Sequence, residues 1–152
     1  MAGKDPLVKE IYIEAPRELV FKYLTEPALL LRWMGLTANL DPRPGGIFRI
    51  DPNGRDVIRG AFLEVAPFSR IVFTWGWEGD GARIPAGSTT VEIELEEKGS
   101  GTLVRLTHRG LRDDSIPSHE LGWTHYLSRL KIAAEGGEPG GDKYATPATR
   151  HG

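Results

Sequence analysis

The chain contains no cysteine. That excludes a disulfide framework and any thiolate metal site, and it fits a reducing compartment. It has no excess of either charge: the net charge is -2, with acids and bases interspersed. No basic face declares itself, so nucleic acid is not an expected partner. No apolar run approaches the ~20 residues that span a bilayer. The opening MAGKDPLVKE lacks the apolar core of a secretion signal, which makes the cytoplasm the expected compartment. The nucleophile motif G-x-S-x-G is missing, and so is the Gly-Lys-Ser/Thr ending of a phosphate loop. What remains is ordinary: 39% hydrophobic and 26% charged residues in 152, enough for one domain with a real core.

Two periodicities divide the chain. VKEIYIE (Val8–Glu14) alternates apolar and polar and reads as a strand. Pro16 then opens a helical pattern with Leu19, Val20, Tyr23 and Leu24 on one side. Glu26-Pro27 breaks it and starts a second short helix, PALLLRW, ending at Met34-Gly35. Strands follow. IFRID enters from a Pro44-Gly45-Gly46 turn, and Pro52-Asn53-Gly54 reads as a tight hairpin turn into RDVIRGAFLEV. RIVFTWGW, TTVEIELEE and TLVRLTHRG complete about six strands in series. The glycine-rich EGDGARIPAG between RIVFTWGW and TTVEIELEE reads as a mobile loop. The last element is a helix over Ser118–Ala134, with Ser118 as N-cap and an apolar stripe of Trp123, Leu127, Leu130 and Ala134. The expected organisation is a single domain over residues 1–135 and a flexible tail over 136–152, rich in glycine and proline.

The pieces EAPRELVFKYLTEPALLLRWMG, PGGIFRI, VIRGAFLEVAPFSRIVFTW, TTVEIELEEKGSGTLVRLTHRGL and HELGWTHYLSRLK resemble, in that order, the START-like helix-grip superfamily (SRPBCC). Within it they resemble the bacterial homologues of the heat-shock-protein-90 ATPase activator. The resemblance implies an α+β fold: a curved antiparallel sheet gripping a long C-terminal helix, two short helices after the first strand, and a cavity between sheet and helix. It implies functions ranging from lipid carriage to polyketide cyclisation.

The bulky aromatics Trp33, Phe48, Phe73, Trp75 and Trp123 are explained mostly by core packing, with some of them lining a pocket. His108 shares a strand face with Val104 and Leu106, which predicts a buried ring. His119 lies one turn before Trp123 in the first turn of the helix, where positive charge is disfavoured, so it reads either as a neutral histidine at the cavity's mouth or simply as a cap residue. His125 is rotated off the stripe and is expected to be exposed. A His119–His125 pair has the wrong spacing for one helical face, so no metal site is expected. Glu64 alternates with Phe62 and Ile58, but Leu63 and Val65 claim the other face equally, and its direction stays open.

The function expected from these features is non-catalytic binding of an apolar or amphipathic small molecule, with no cofactor. The expected ligand contacts are Trp33, Phe48, Ile58, Phe62, Phe73, Trp75, His108, His119, Trp123 and Leu127. One alternative is an enzyme of the polyketide-cyclase type using His108 or Glu64 for proton transfer. Another is a protein-interaction domain tied to chaperones. A homodimer and a protein partner stay open.

Overall fold

The computed structural model describes residues 6–142. Seven strands form one antiparallel sheet in the order β1-β7-β6-β5-β4-β3-β2. They are β1 (Leu7–Ile13), β2 (Thr37–Leu40), β3 (Ile47–Asp51), β4 (Ile58–Ala66), β5 (Arg70–Trp75), β6 (Thr89–Lys98) and β7 (Gly101–Arg109). Helices α1 (Arg17–Thr25) and α2 (Pro27–Leu30) separate β1 from β2, and α3 (Ile116–Ala134) follows β7. Strands β2 to β7 are a meander of hairpins. β1 returns to pair with β7 in register, Leu7 opposite His108 and Ile13 opposite Thr102. This is the helix-grip arrangement, with one strand more than the sequence pattern shows. The added strand, β2, is TANL at the sheet edge against β3. Four residues containing an asparagine give neither the length nor the β-branched content by which strands are recognised.

Inward-facing residues form one core with α3. On β6 the pattern is strict: Thr89, Val91, Ile93 and Leu95 are buried, and glutamates hold the solvent face, as expected of a one-sided sheet. On β7, Val104, Leu106 and His108 are fully buried. From α3 come Trp123, Tyr126, Leu127, Leu130, Ala133 and Ala134. Phe48 on β3 stands opposite Gly60 on β4. A Cβ at Gly60 would lie 1.8 Å from the Thr74 carbonyl oxygen, so only glycine fits there. With no side chain at that position, the Phe48 ring reaches Phe73 of β5 and stacks on it at 4.0 Å.

Three expectations are corrected in detail. The Asp51-to-Ile58 connection is a loop of residues 52–57, longer than the tight turn expected at Pro52-Asn53-Gly54. Asn53, buried to 1% exposure, accepts from the backbone of Arg55 and Asp56 at 3.0 and 2.8 Å. This side-chain turn consumes the residues read as the start of a strand. Helix α3 starts at Ile116, not after Ser118. A single 3-10 turn, Asp113–Ser115, feeds the chain into helical geometry early, and the Ser118 hydroxyl donates back to the Ser115 carbonyl at 3.0 Å instead of capping. His125 is not exposed: its side chain is 18% accessible and its Nε2 lies 2.8 Å from Asp142. Of the expected tail, residues 143–152 lie outside the described residues. Within 136–142, Arg129 donates to the carbonyls of Gly140 and Gly141, and the Tyr126 hydroxyl donates to Asp142. The chain therefore folds back over the face of α3 that carries His125.

Among the described residues, no helix is long and apolar enough to cross a membrane.

Candidate functional site

A pocket of about 620 Å³ opens at one end of the sheet–helix interface. Three connections converge there: the 52–57 loop, the segment from Trp77 to Ser88, and the first turns of α3. Ile58, Trp75, Trp77, Ile84, Trp123 and Tyr126 give it apolar walls, and Met34, just beyond α2, adds to them. The 77–88 segment is held at its base. Trp77 donates to the Ile84 carbonyl at 2.8 Å, and Glu78 donates to Val57 at 2.8 Å. Gly76 is required by the same packing, since a Cβ there would sit 1.8 Å from the Pro85 carbonyl oxygen.

Four of the residues expected from sequence line this pocket: Ile58, Trp75, His119 and Trp123. The other six lie outside its lining. Phe48, Phe62 and Phe73 form a packed aromatic cluster in the middle of the sheet. Leu127 is buried one turn deeper along α3. Trp33 lies in the turn after α2, buried, with its indole N–H donated to the Tyr23 carbonyl at 2.9 Å. His108 is fully buried behind the wall. Sequence reasoning passed over Trp77, Ile84 and Tyr126. Trp77 does share the alternation of Trp75, and Tyr126 follows Trp123 at helical spacing. Ile84 is the single large apolar residue in the glycine-rich loop and is only 5% exposed.

His108 sits at the centre of a chain of hydrogen bonds. Thr89 Oγ1 donates to the Trp75 carbonyl at 2.9 Å, so it must accept from His108 Nε2, which lies 2.8 Å away. The proton is therefore on Nε2, and Nδ1 accepts from Trp123 Nε1 at 3.1 Å. Both ring nitrogens are engaged in the neutral form. Burial, helped by neighbouring His119, pushes the His108 pKa down to about 3. Such a ring has no free nitrogen for acid–base work. Glu64 is exposed and bonded to Arg70 at 3.1 Å. A register shift between Phe62 and Glu64 explains its ambiguous alternation: the extra residue Leu63 turns both Leu63 and Glu64 outward and lets Val65 pack inward.

His119 belongs to the pocket itself. Its Nδ1 lies 2.9 Å from the Ser115 carbonyl oxygen, and its ring meets His108 edge-on at 5.4 Å. Burial lowers its pKa, opposed by the bond to Ser115. Charges at the rim are paired. Glu78 bonds Arg49 at 2.9 Å and Arg59 at 3.3 Å, and its carboxyl is held below the usual range chiefly by Arg49. Asp114 is bonded by Arg112 at 3.3 Å and Arg83 at 2.5 Å, and its pKa is likewise lowered, with Arg112 the first cause. Among the described residues, no group of three or more His, Asp or Glu side chains could hold a metal ion. The pocket is thus apolar and aromatic, with neutral polar groups in its wall and compensated charges at its mouth.

Comparison with known proteins agrees with this architecture. The chain is 41% identical to an AHSA1-like protein of Rhizobium etli, covering 100% of this chain and 96% of that one with a TM-score of 0.72. The Aha1 dimer of Colwellia psychrerythraea superposes with a TM-score of 0.75 at 23% identity, over 88% and 98% of the two chains. DynU16, a protein of the dynemicin biosynthetic locus, has a TM-score of 0.77 at 22% identity over 90% of this chain, which spans about half (49%) of its length. These last two likenesses are of fold. No curated protein matches the chain. Residues 14–135 match the family described as activator of Hsp90 ATPase homolog 1-like protein, and the chain belongs to that AHSA-type family of the START-like superfamily.

Proposed function

We propose that the protein binds an apolar or amphipathic small molecule in this pocket and performs no chemistry on it. One observation carries the reading: about 620 Å³ of space bordered by Trp75, Trp77 and Trp123, within the ~300–1,000 Å³ range of ligand sites. Proton transfer is disfavoured because His108 uses both nitrogens internally and Glu64 points to solvent. The cytoplasm is the compartment this reading expects.

Three tryptophans at the wall supply a built-in reporter. Titration with the neutral fluorescent probe N-phenylnaphthylamine should saturate at one molecule per chain, with quenching of tryptophan emission. Native mass spectrometry of freshly purified protein should show added mass that is removed by organic extraction. A probe signal that never saturates, together with a clean apo mass, overturns the proposal.

A further inference from the structure

Helix α3 carries in its interior a glycine that nothing among the described residues requires. Gly122 has helical backbone geometry, so no left-handed turn calls for it. A Cβ built on it meets no described atom within 4 Å, so no neighbouring element needs the close approach that glycine permits. Gly60 and Gly76 differ, since a backbone oxygen 1.8 Å from the Cβ position excludes any side chain there. Glycine weakens a helix interior more than any residue except proline. Alanine at 122 would fit and would hold the helix better.

The open space over Gly122 is the pocket. Ser118, His119, Leu121, Gly122, Trp123 and Tyr126 are the residues of α3 that line it. At about 100° of turn per residue they span an arc from Leu121 to Trp123, and Gly122 lies at its centre. Ser118 and Tyr126, four residues before and after, lie on the same line. A side chain at 122 would therefore point into the pocket, and glycine leaves bare backbone there. That strip has no hydrogen bond to donate. Backbone N–H groups inside a helix are committed to its own carbonyls, and the Ser118 hydroxyl donates to the Ser115 carbonyl at 3.0 Å. Beside it Leu121, 67% exposed, leaves a large apolar side chain uncovered at the lining. Building on the reading of this space as a ligand pocket, we propose that Gly122 sets the size of ligand it admits. The flat apolar face of a ring lies directly on the α3 backbone at Gly122 and covers Leu121. That close approach accounts for a glycine that weakens the helix.

The test uses N-phenylnaphthylamine as the ring probe. Gly122→Ala should raise the melting temperature by a few degrees and weaken the probe about tenfold. Gly122→Leu, which fills the space, should abolish binding. Thr124→Ala is the control, because Thr124 is exposed on α3 and outside the lining. Alanine strengthens the helix there too, and affinity should stay within about twofold of wild type. In the wild-type complex, proton NMR should show nuclear Overhauser contacts between the probe rings and the Gly122 α-protons, a readout that needs no variant. Wild-type affinity in both Gly122 variants overturns the role of Gly122 and leaves the pocket reading intact. So does an equal loss of affinity in Thr124→Ala, or a bound probe without those contacts. A wild-type protein that binds no probe overturns both.

Discussion

Two aromatic clusters occupy the two regions of the space between sheet and α3, and they have opposite fates. In the middle of the sheet, Phe48, Phe62 and Phe73 contact one another at ring separations of 4.0 to 6.1 Å and leave no room. At the end, Trp75 lies 6.0 Å from Trp77 and 5.0 Å from Trp123, and all three border open space. The phenylalanines come from adjacent strands in register, with Gly60 clearing the way, so their rings converge. The tryptophans come from a strand end, a loop and a helix. One of them is held by a polar attachment: Trp123 donates its N–H to His108, which is tied through Thr89 to the backbone carbonyl of Trp75. Apolar rings free to converge fill space. Rings fixed by hydrogen bonds can hold space open, because collapse would break those bonds.

The comparison is broken most severely at the phenylalanines. Phe62 is completely buried, so Phe62→Ala should destabilise the protein by ~3–5 kcal/mol in urea denaturation. Probe affinity of the protein that remains folded should stay near wild type. If stability hardly changes, the middle of the interface is not the packed region described.

The next largest effect is a dependence on pH at the other end. The folded-state pKa of His108 is depressed to about 3 from an ordinary 6.5. Above pH 6.5 the ring is neutral in both states and the network contributes its full stability. As pH falls below 6.5, the unfolded chain takes up a proton that the folded protein refuses, so stability is lost down to the folded pKa. Between pH 7 and 5 the loss should be about 2 kcal/mol, with His119 adding in the same direction. His108→Gln should flatten this slope in denaturation curves at the two pH values. Equal slopes would mean that His108 is not held neutral by burial.

Trp77→Ala sharpens the contrast from the pocket side. Trp77 is only partly buried and meets Trp75 edge-on at 6.0 Å. A wall residue already lacks neighbours on one side, so its loss should cost at most ~2 kcal/mol of stability. Affinity for N-phenylnaphthylamine should drop about tenfold. A large stability loss with unchanged affinity would assign Trp77 to the core.

The two regions were not equally legible in the sequence. Strands β3 and β6 alternate cleanly, and the apolar face of β6 and the stripe of α3 follow from period alone. Hence the fold, the burial of Val104, Leu106 and His108, and the position of α3 could be read. The rim could not. Asn53 builds a side-chain turn where a tight hairpin seemed natural, and Leu63 shifts the register of β4 so that Glu64 turns outward. Ile84 enters the wall from a loop whose composition resembles any surface loop. Position along a strand says which face a residue takes. It does not say whether that face meets a solid cluster or an opening, which is why Phe48, Phe62 and Phe73 were grouped with Trp75 and Trp123.

The smallest effect concerns the latch at the mouth. Arg83, in the loop after β5, reaches Asp114 beside the first turn of α3 at 2.5 Å, and both residues line the pocket. The pair ties together two of the three connections that frame the opening. Its side chains are 65% and 54% exposed, and exposed ion pairs contribute little to stability because water and salt screen them. Arg83→Ala should therefore leave the melting temperature within about 2 °C of wild type. Its effect should fall on kinetics. A bound probe leaves past these two connections, so removing the tie should speed N-phenylnaphthylamine dissociation in stopped-flow experiments, by about twofold to fivefold if the pair is worth the usual fraction of a kcal/mol. Raising salt should speed release from wild type and have little effect on the variant, since only wild type has the pair to screen. Release that is indifferent to both the substitution and salt would show that the ligand leaves elsewhere, and that the open region of the interface has its exit away from the loop–helix seam.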